Sequence, residues 1–254
     1  MIIKEKVQEN GHWYTKDGEP AYSIEGKTGT RSTTLRDARK LGLLPSVTTI
    51  IGQLSKAGLD TWKQQQVLLS ALTLPRIATE SEQEWLARVM KDSKETARKA
   101  ADRGTEIHSV IESFYDNVLA DWPPYVRIVE QTINEYFGNQ LWTSERSFAH
   151  PDGFGGKVDL SSRMDRVSGW DGAIVDFKTT EKDVDKIDVY FEHHLQLAAY
   201  RQGLEIPHAR CAIVYVNANT NSVRLIEIEE EELQKGWECF WHLLKIYQIK
   251  NGLK

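Results

Sequence analysis

Two runs decide the reading of this chain: Gly155-Gly156-Lys157-Val158-Asp159-Leu160 and Ile174-Val175-Asp176-Phe177-Lys178-Thr179-Thr180. Both alternate like strands. Val158 and Leu160 interleave with Lys157, Asp159 and Ser161, and Ala173, Val175 and Phe177 interleave with Ile174, Asp176 and Lys178. Residues two apart on a strand share a face, so Asp176 and Lys178 point the same way, about 7 Å apart. Between the runs, Ser168-Gly169-Trp170-Asp171-Gly172 carries hairpin chemistry, including an Asp-Gly pair. A hairpin there would bring Asp159 beside Asp176. Two carboxylates on one partly desolvated sheet face repel each other and oppose folding. A hard divalent cation such as Mg²⁺, which takes carboxylate oxygens, would reverse that sign.

Outward from this core the elements alternate. Gly155 and Gly156 permit close backbone approach before the Asp159 strand. Strands are predicted over 141–149, 156–166 and 172–178, a helix over 192–204, a strand pair over 209–217 and 222–228, and a terminal amphipathic helix over 229–251. In the 192–204 helix, Gln196 and Tyr200 are an i, i+4 pair on one face. Upstream, Pro124 suits the first turn of a helix to Phe137. The order of helices, three strands, helix, two strands and helix is α/β, a mixed sheet flanked by helices.

The first 90 residues read as a small β and helical extension, and 91–254 as the core. Gly11–Thr15 and Ala21–Ile24 flank a turn and predict a hairpin, with Trp13, Tyr14 and Tyr22 available for packing or for stacking on bases. A short helix over 34–42 ends at Gly42. In Pro45-Ser46-Val47-Thr48-Thr49-Ile50, Ser46 is a good N-cap for a helix to about Leu54. The hydroxyls of Ser46, Thr48 and Thr49 at that N-terminus read equally as capping groups or as DNA-phosphate contacts. Helices are predicted over 58–74 and 80–90. Asp92 and Glu95 have capping-box spacing for a long helix to Tyr115. The first half of that helix is the most basic stretch, with Arg98 and Arg103 among its cations. It reads either as a solvated face or as a flank for DNA. Gly104, His108 and Glu112 form one stripe on it, and His108 alone is a satisfied polar residue or a ligand.

Composition narrows the function classes. The chain has 254 residues, 40% of them hydrophobic and 27% charged, as in an ordinary globular protein. Two cysteines cannot build a four-thiolate zinc or iron–sulfur site. No apolar run approaches a membrane span, and no apolar signal region follows Met1, so a cytoplasmic setting without membrane partners is expected. A net charge of −5 argues against a broad basic coat for nucleic acid, but not against a local basic channel.

The constellation resembles the PD-(D/E)xK nuclease superfamily, specifically its RecB-like exonuclease branch. The matching residues are Gly104-Thr105-Glu106-Ile107-His108 with Glu112, then Gly156-Lys157-Val158-Asp159, Val175-Asp176-Phe177-Lys178-Thr179-Thr180 and Gln196-x-x-x-Tyr200, in the family's order over about residues 90 to 230. Val158 replaces the proline of the namesake motif. Pro45–Ile50 is similar to an N-terminal motif of phage-type and mitochondrial-genome-maintenance-type members. The resemblance implies a restriction-endonuclease-like core and a metal-dependent DNA exonuclease of recombination, repair or replication. It further implies one or two Mg²⁺ or Mn²⁺ ions held by Asp159, Asp176 and His108. Lys178 would position or deprotonate water with a lowered or matched pKa, and Gln196 and Tyr200 would orient it or the phosphate. Glu112 and Glu145 are acidic extras, either behind the metal ligands or at the surface, and either could replace a water on a second ion. The cysteine count excludes the iron–sulfur cluster of some relatives, and no Walker A loop is present. DNA, as single strands or duplex ends, is the expected partner. A single-strand annealing or replication protein is a further candidate that no residue specifies. An endonuclease of the same fold, or a non-cleaving DNA binder, is the alternative.

Overall fold

The aromatic pair Trp13–Tyr14 forms β1 and is buried. Its turn closes as expected, with Thr15 N–H donating to the Glu19 carbonyl at 2.9 Å and Ala21 N–H to the Trp13 carbonyl at 2.7 Å. The hairpin, however, does not continue through Ile24. Strand β2 (Ser23–Gly26) pairs with β3 (Gly29–Ser32) instead. Tyr14 and Tyr22 share a 2.6 Å hydroxyl bond, so these rings pack on each other. Helix α1 (Leu35–Leu41) starts at a Thr34–Asp37 capping box and stops at Gly42, whose φ of +66° suits glycine. Strand β4 (Leu44–Pro45) is the ladder partner of β1, and α2 (Val47–Ile51) follows, capped by Ser46. The computed structural model describes residues 11–26, 29–118, 120–165 and 167–253, so the reading of the first ten residues and the strand end at Arg166 lie outside the described residues.

Residues 54–109 make a compact unit of their own, and residues 11–53 with 110–253 make the other, so the division falls at 53 and 109 rather than at 90. The smaller unit holds α3 (Ala57–Thr73), α4 (Glu82–Ser93) and α5 (Glu95–Tyr115) up to Ser109. Ser81 and Glu84 form the capping box that starts α4. Trp85 Nε1 donates to the Leu74 carbonyl at 2.7 Å, and Arg88 grips Glu80 at 2.8 and 2.9 Å. The predicted Asp92 cap does not form. Asp92 lies in the last turn of α4, because the helix started by Ser81 runs on through Ser93.

In the larger unit, α6 (Pro124–Phe137) buries Val126, Val129, Ile133 and Phe137 as one stripe. Strands β5 (Trp142–His150), β6 (Phe154–Ser162) and β7 (Ala173–Thr179) follow. After a 3₁₀ turn over Val184–Lys186 come α7 (Phe191–Gly203), β8 (Arg210–Asn217), β9 (Ser222–Glu227) and α8 (Glu230–Asn251). The five strands lie in sequence order. β7 and β8 are parallel and the other pairs antiparallel, a mixed sheet. A parallel pair needs a crossover, and α7 supplies it. β8 is buried almost throughout, as a strand covered on both faces must be. On one face α7 packs across β5 to β8, with α8 against it. On the other, Arg210 of β8 lies over Tyr136 and Phe137 of α6.

Two glycines set the spacing between α7 and the sheet. A Cβ on Gly156 would come within 2.7 Å of the Phe148 ring, and one on Gly203 within 2.0 Å of the same ring. Phe148 is therefore wedged between β6 and α7. A Cβ on neighbouring Gly155 would meet the Tyr14 ring at 2.8 Å. These glycines make room for aromatic rings of the core.

Candidate active site

The turn predicted between the two key strands forms around Asp165, whose backbone exchanges hydrogen bonds of 2.7 and 2.9 Å with Trp170. The ladder from there pairs Ser162 with Ala173, Ser161 with Ile174 and Leu160 with Val175. It stops one position short of Asp159 and Asp176. Where the strands part, Asp159 Oδ2 accepts the Phe177 N–H at 2.8 Å. A carboxylate thus replaces the next rung, and both acids stand at the mouth of a splayed strand pair.

Helix α7 completes the arrangement. Gln196 Nε2 donates to Asp176 Oδ1 at 2.7 Å and to the Tyr200 hydroxyl at 2.9 Å, while Gln196 Oε1 accepts from Lys178 Nζ at 3.3 Å. Lys178 Nζ also pairs with Asp176 Oδ2 at 2.5 Å. One amide therefore ties acid, lysine and phenol together, which its two donors and carbonyl oxygen allow. Asp176, Gln196 and Tyr200 are buried, and Lys178 keeps 28% exposure. Tyr200 meets Phe148 edge-on at 6.1 Å, so the wedge at Gly156 and Gly203 also seats this phenol.

The electrostatics follow from burial. Desolvation, then the Asp176 charge, push the Asp159 pKa up. Burial disfavours the Lys178 ammonium, but Asp176 and Asp159 outweigh it and hold its pKa above the usual value. Burial, with Asp176 and Asp159, raises Tyr200 well above an ordinary phenol.

The carboxylates fit a hard cation. Asp176 Oδ2 is buried against the Lys178 ammonium, so a cation taking that oxygen would share it with the lysine. Among the described residues, no three His, Cys, Asp or Glu side chains form a metal-ligating group. His108 lies half-buried on α5 in the 54–109 unit, and Glu112, also half-buried, lies past Ser109 on the same helix. Glu145 stands on β5 at the register position facing Asp159, between the Ser144–Leu160 and Arg146–Val158 pairs. Its φ of +48° is rare for a residue with a side chain, and its carboxylate is taken by Lys157.

Of the expected DNA contacts, Ser46, Thr49 and Arg98 have partners within the protein. Ser46 is buried, and its Oγ accepts the Thr49 N–H at 3.0 Å and donates to Thr49 Oγ1 at 2.8 Å. Thr49 Oγ1 also accepts the His12 N–H at 3.3 Å. Capping thus occupies Ser46 and Thr49, and Thr48 alone of the three is exposed. Arg98 pairs with Glu95 at 2.8 Å and Asp102 at 3.3 Å, and Arg103 is exposed on α5. His193 and His194 are half-buried: His193 Nδ1 meets the Tyr215 hydroxyl at 3.4 Å, and His194 meets Glu232 at 3.4 Å. Tyr215 escaped the sequence reading. It sits opposite Lys178 in the parallel β7–β8 register, and nothing local in the sequence announces that pairing.

Comparison with known proteins agrees with this geometry. Residues 122–240 match the PD-(D/E)XK nuclease superfamily. The matched stretch includes Asp159, Asp176, Lys178, Gln196 and Tyr200, and leaves His108, Glu112 and Ser46 outside. No curated protein matches the chain in sequence. Solved structures with similarity include a candidate exonuclease from Eubacterium rectale, 15% identical, covering 59% of this chain and 68% of its own, with a TM-score of 0.40. Another is an alkaline exonuclease from Laribacter hongkongensis, 14% identical, covering 76% of this chain and 98% of its own, with a TM-score of 0.35.

Proposed function

We propose that the protein is a metal-dependent DNA exonuclease of the RecB-like branch, acting on DNA ends or single strands in recombination, repair or replication. The observation that carries this reading is the Asp176–Lys178–Gln196–Tyr200 network with Asp159 beside it, on a stretch that matches a nuclease superfamily. Asp159 and Asp176 would hold a Mg²⁺ or Mn²⁺ ion, which supplies water activation and offsets charge on the phosphate. Lys178 does the rest of the electrostatic work. As an ammonium it would donate hydrogen bonds to phosphate oxygens and to the attacking water. Gln196 fixes the direction of that ammonium through its carbonyl oxygen, and Tyr200 fixes the direction of the amide. Asp176 is held on Oδ1 by Gln196 and on Oδ2 by Lys178.

The test is cleavage of 5′-labelled, 3′-labelled and circular DNA, single- and double-stranded, with Mg²⁺ or Mn²⁺ and with chelator. Metal-dependent release of mononucleotides or short products from one labelled end is expected. Cutting of circles would assign an endonuclease instead, and no cleavage of any substrate would remove the nuclease reading.

A further inference from the structure

Beside Lys178 the larger unit contains a cleft of about 420 Å³ that the catalytic network does not use. Its lining is partly aromatic. Tyr190 is 55% exposed, its ring meets His193 edge-on at 5.7 Å, and His193 meets Tyr215 at 6.4 Å. The β7–α7 connection, which also carries Tyr190, contributes Thr180, Lys182 and Lys186 to the lining. That connection is held in place. Arg224 Nη1 donates to the carbonyls of Val184, Asp185 and Ile187 at 3.1, 2.8 and 3.2 Å. Asn217 Nδ2 donates to the Lys182 carbonyl at 3.0 Å, and Thr180 N–H to the Val216 carbonyl at 3.0 Å. The cleft is thus formed before any ligand arrives, the usual state of a small-molecule pocket.

Lys178 lines this cleft and also belongs to the Asp176 network. Whatever fills the cleft is therefore contiguous with the group on which Lys178 acts. The volume suits one small ligand and is far too small for a base-paired duplex. An exposed ring and cations lining one cleft are the groups that hold an unpaired base and its phosphate, because every base has a π-face and every nucleotide a negative charge. Lys186 is 82% exposed and its bond to Asp183, 3.1 Å long, is a surface ion pair that a phosphate can replace. Asp188 also lines the cleft and would repel that phosphate, which places it toward the lysines.

We infer that this cleft is a subsite for one unpaired nucleotide adjoining the scissile phosphate, its base against Tyr190 and its phosphate at Lys182 and Lys186. The inference rests on the nuclease reading above for the word scissile, but the nucleotide site does not need cleavage to be seen. A strand must then be single or frayed where it enters, and the site discriminates against a closed duplex.

The experiment measures binding in chelator, where nothing is cut, using a short single-stranded oligothymidylate with a terminal 2-aminopurine and the matching blunt duplex. Stacking on Tyr190 quenches the 2-aminopurine in the single strand. In Y190A the quenching is lost and single-strand affinity falls about tenfold, whereas Y190F keeps both, since the ring and not the hydroxyl is the platform. K182A/K186A weakens single-strand binding and flattens its salt dependence. Duplex affinity moves less than twofold in every variant. Wild-type quenching that survives in Y190A, or equal losses for single strand and duplex, overturns the subsite. So does absence of single-strand binding by the wild-type protein. Normal metal-dependent cleavage with those binding results leaves the nuclease standing without the subsite. Quenching by the wild-type protein that is lost in Y190A, without cleavage of any DNA by the wild type, leaves a nucleotide site on a protein that does not cut.

Discussion

Asp176 with Lys178 and Arg98 with Glu95 and Asp102 are made of the same charges, and they behave as opposites. The first pair is a carboxylate and an ammonium 2.5 Å apart on a covered strand, with an amide and a phenol closing the circuit. The second is a guanidinium 63% exposed between two carboxylates of its own helix. Burial makes each partner of the first pair depend on the other, since one charge left alone in a dry site is costly. Water makes the partners of the second pair nearly independent. Charge in the sequence marks neither as functional. The surrounding shell does, and the two regions can be separated by mutation.

The largest effect belongs to Lys178. K178A removes the charge that faces the phosphate, and cleavage with saturating Mg²⁺ falls by about a thousandfold. It also leaves Asp176 buried without its cation. Breaking a fully buried pair costs about 3–5 kcal/mol, and the 28% exposure of Lys178 brings this case lower. Single-turnover cleavage and a denaturant melt read the two consequences separately. Activity within tenfold of wild type would break the comparison, because the buried pair would then be only structural.

Next comes Gln196. Q196A strands Asp176 Oδ1 and frees the lysine, so stability falls by about 1–3 kcal/mol. The rate falls by about a hundredfold from misplacement of the ammonium. As a positioning residue it acts through Lys178, so the rate should recover in part in Q196N at raised temperature or substrate, whereas K178R should not restore it. If Q196A melts lower but cuts normally, the amide is a strut and not a guide. A smaller effect is expected of Y200F. The hydroxyl accepts one hydrogen bond from Gln196, and its loss costs about 1 kcal/mol, seen as a fall of about 2–4 °C in Tm for a chain of this size. The rate should change less than in Q196A.

These expectations also divide what local sequence can say from what it cannot. Alternation placed Asp159, Asp176 and Lys178 on strands, and i, i+4 spacing put Gln196 and Tyr200 on one helix face, where the network has them. Pro124 and Phe137 bound α6 where the start and stop signals put them. Local signals failed where two of them competed or where distance mattered. Asp92 had good capping chemistry, but the helix begun at Ser81 was already under way. Trp13 pairs with Pro45, Ser46 bridges to Gly155, and Tyr215 sits beside Lys178, all by contacts between segments far apart in the chain. Ser46 shows the cost of that blindness. Its hydroxyl reads equally as a cap or a phosphate contact, and the structure, with the bridge to Gly155, has it buried as a cap.

Arg98 is the smallest effect and the sharpest test of the contrast. Read as a cation on the most basic stretch, it would hold a DNA phosphate, and R98A would weaken DNA binding at every sequence and reduce the salt slope by about one unit. Its guanidinium already meets two carboxylates, so a phosphate gains little there. R98A is therefore expected to change duplex affinity less than twofold, leave the salt slope unchanged and leave Tm within error. E95Q with D102N should do the reverse: it frees the guanidinium and strengthens binding at low salt, an effect that fades as salt is raised. A full unit lost from the slope in R98A would mean that DNA displaces both carboxylates. The basic stretch of α5 would then be a DNA-facing surface that the ion pairs merely hold in readiness.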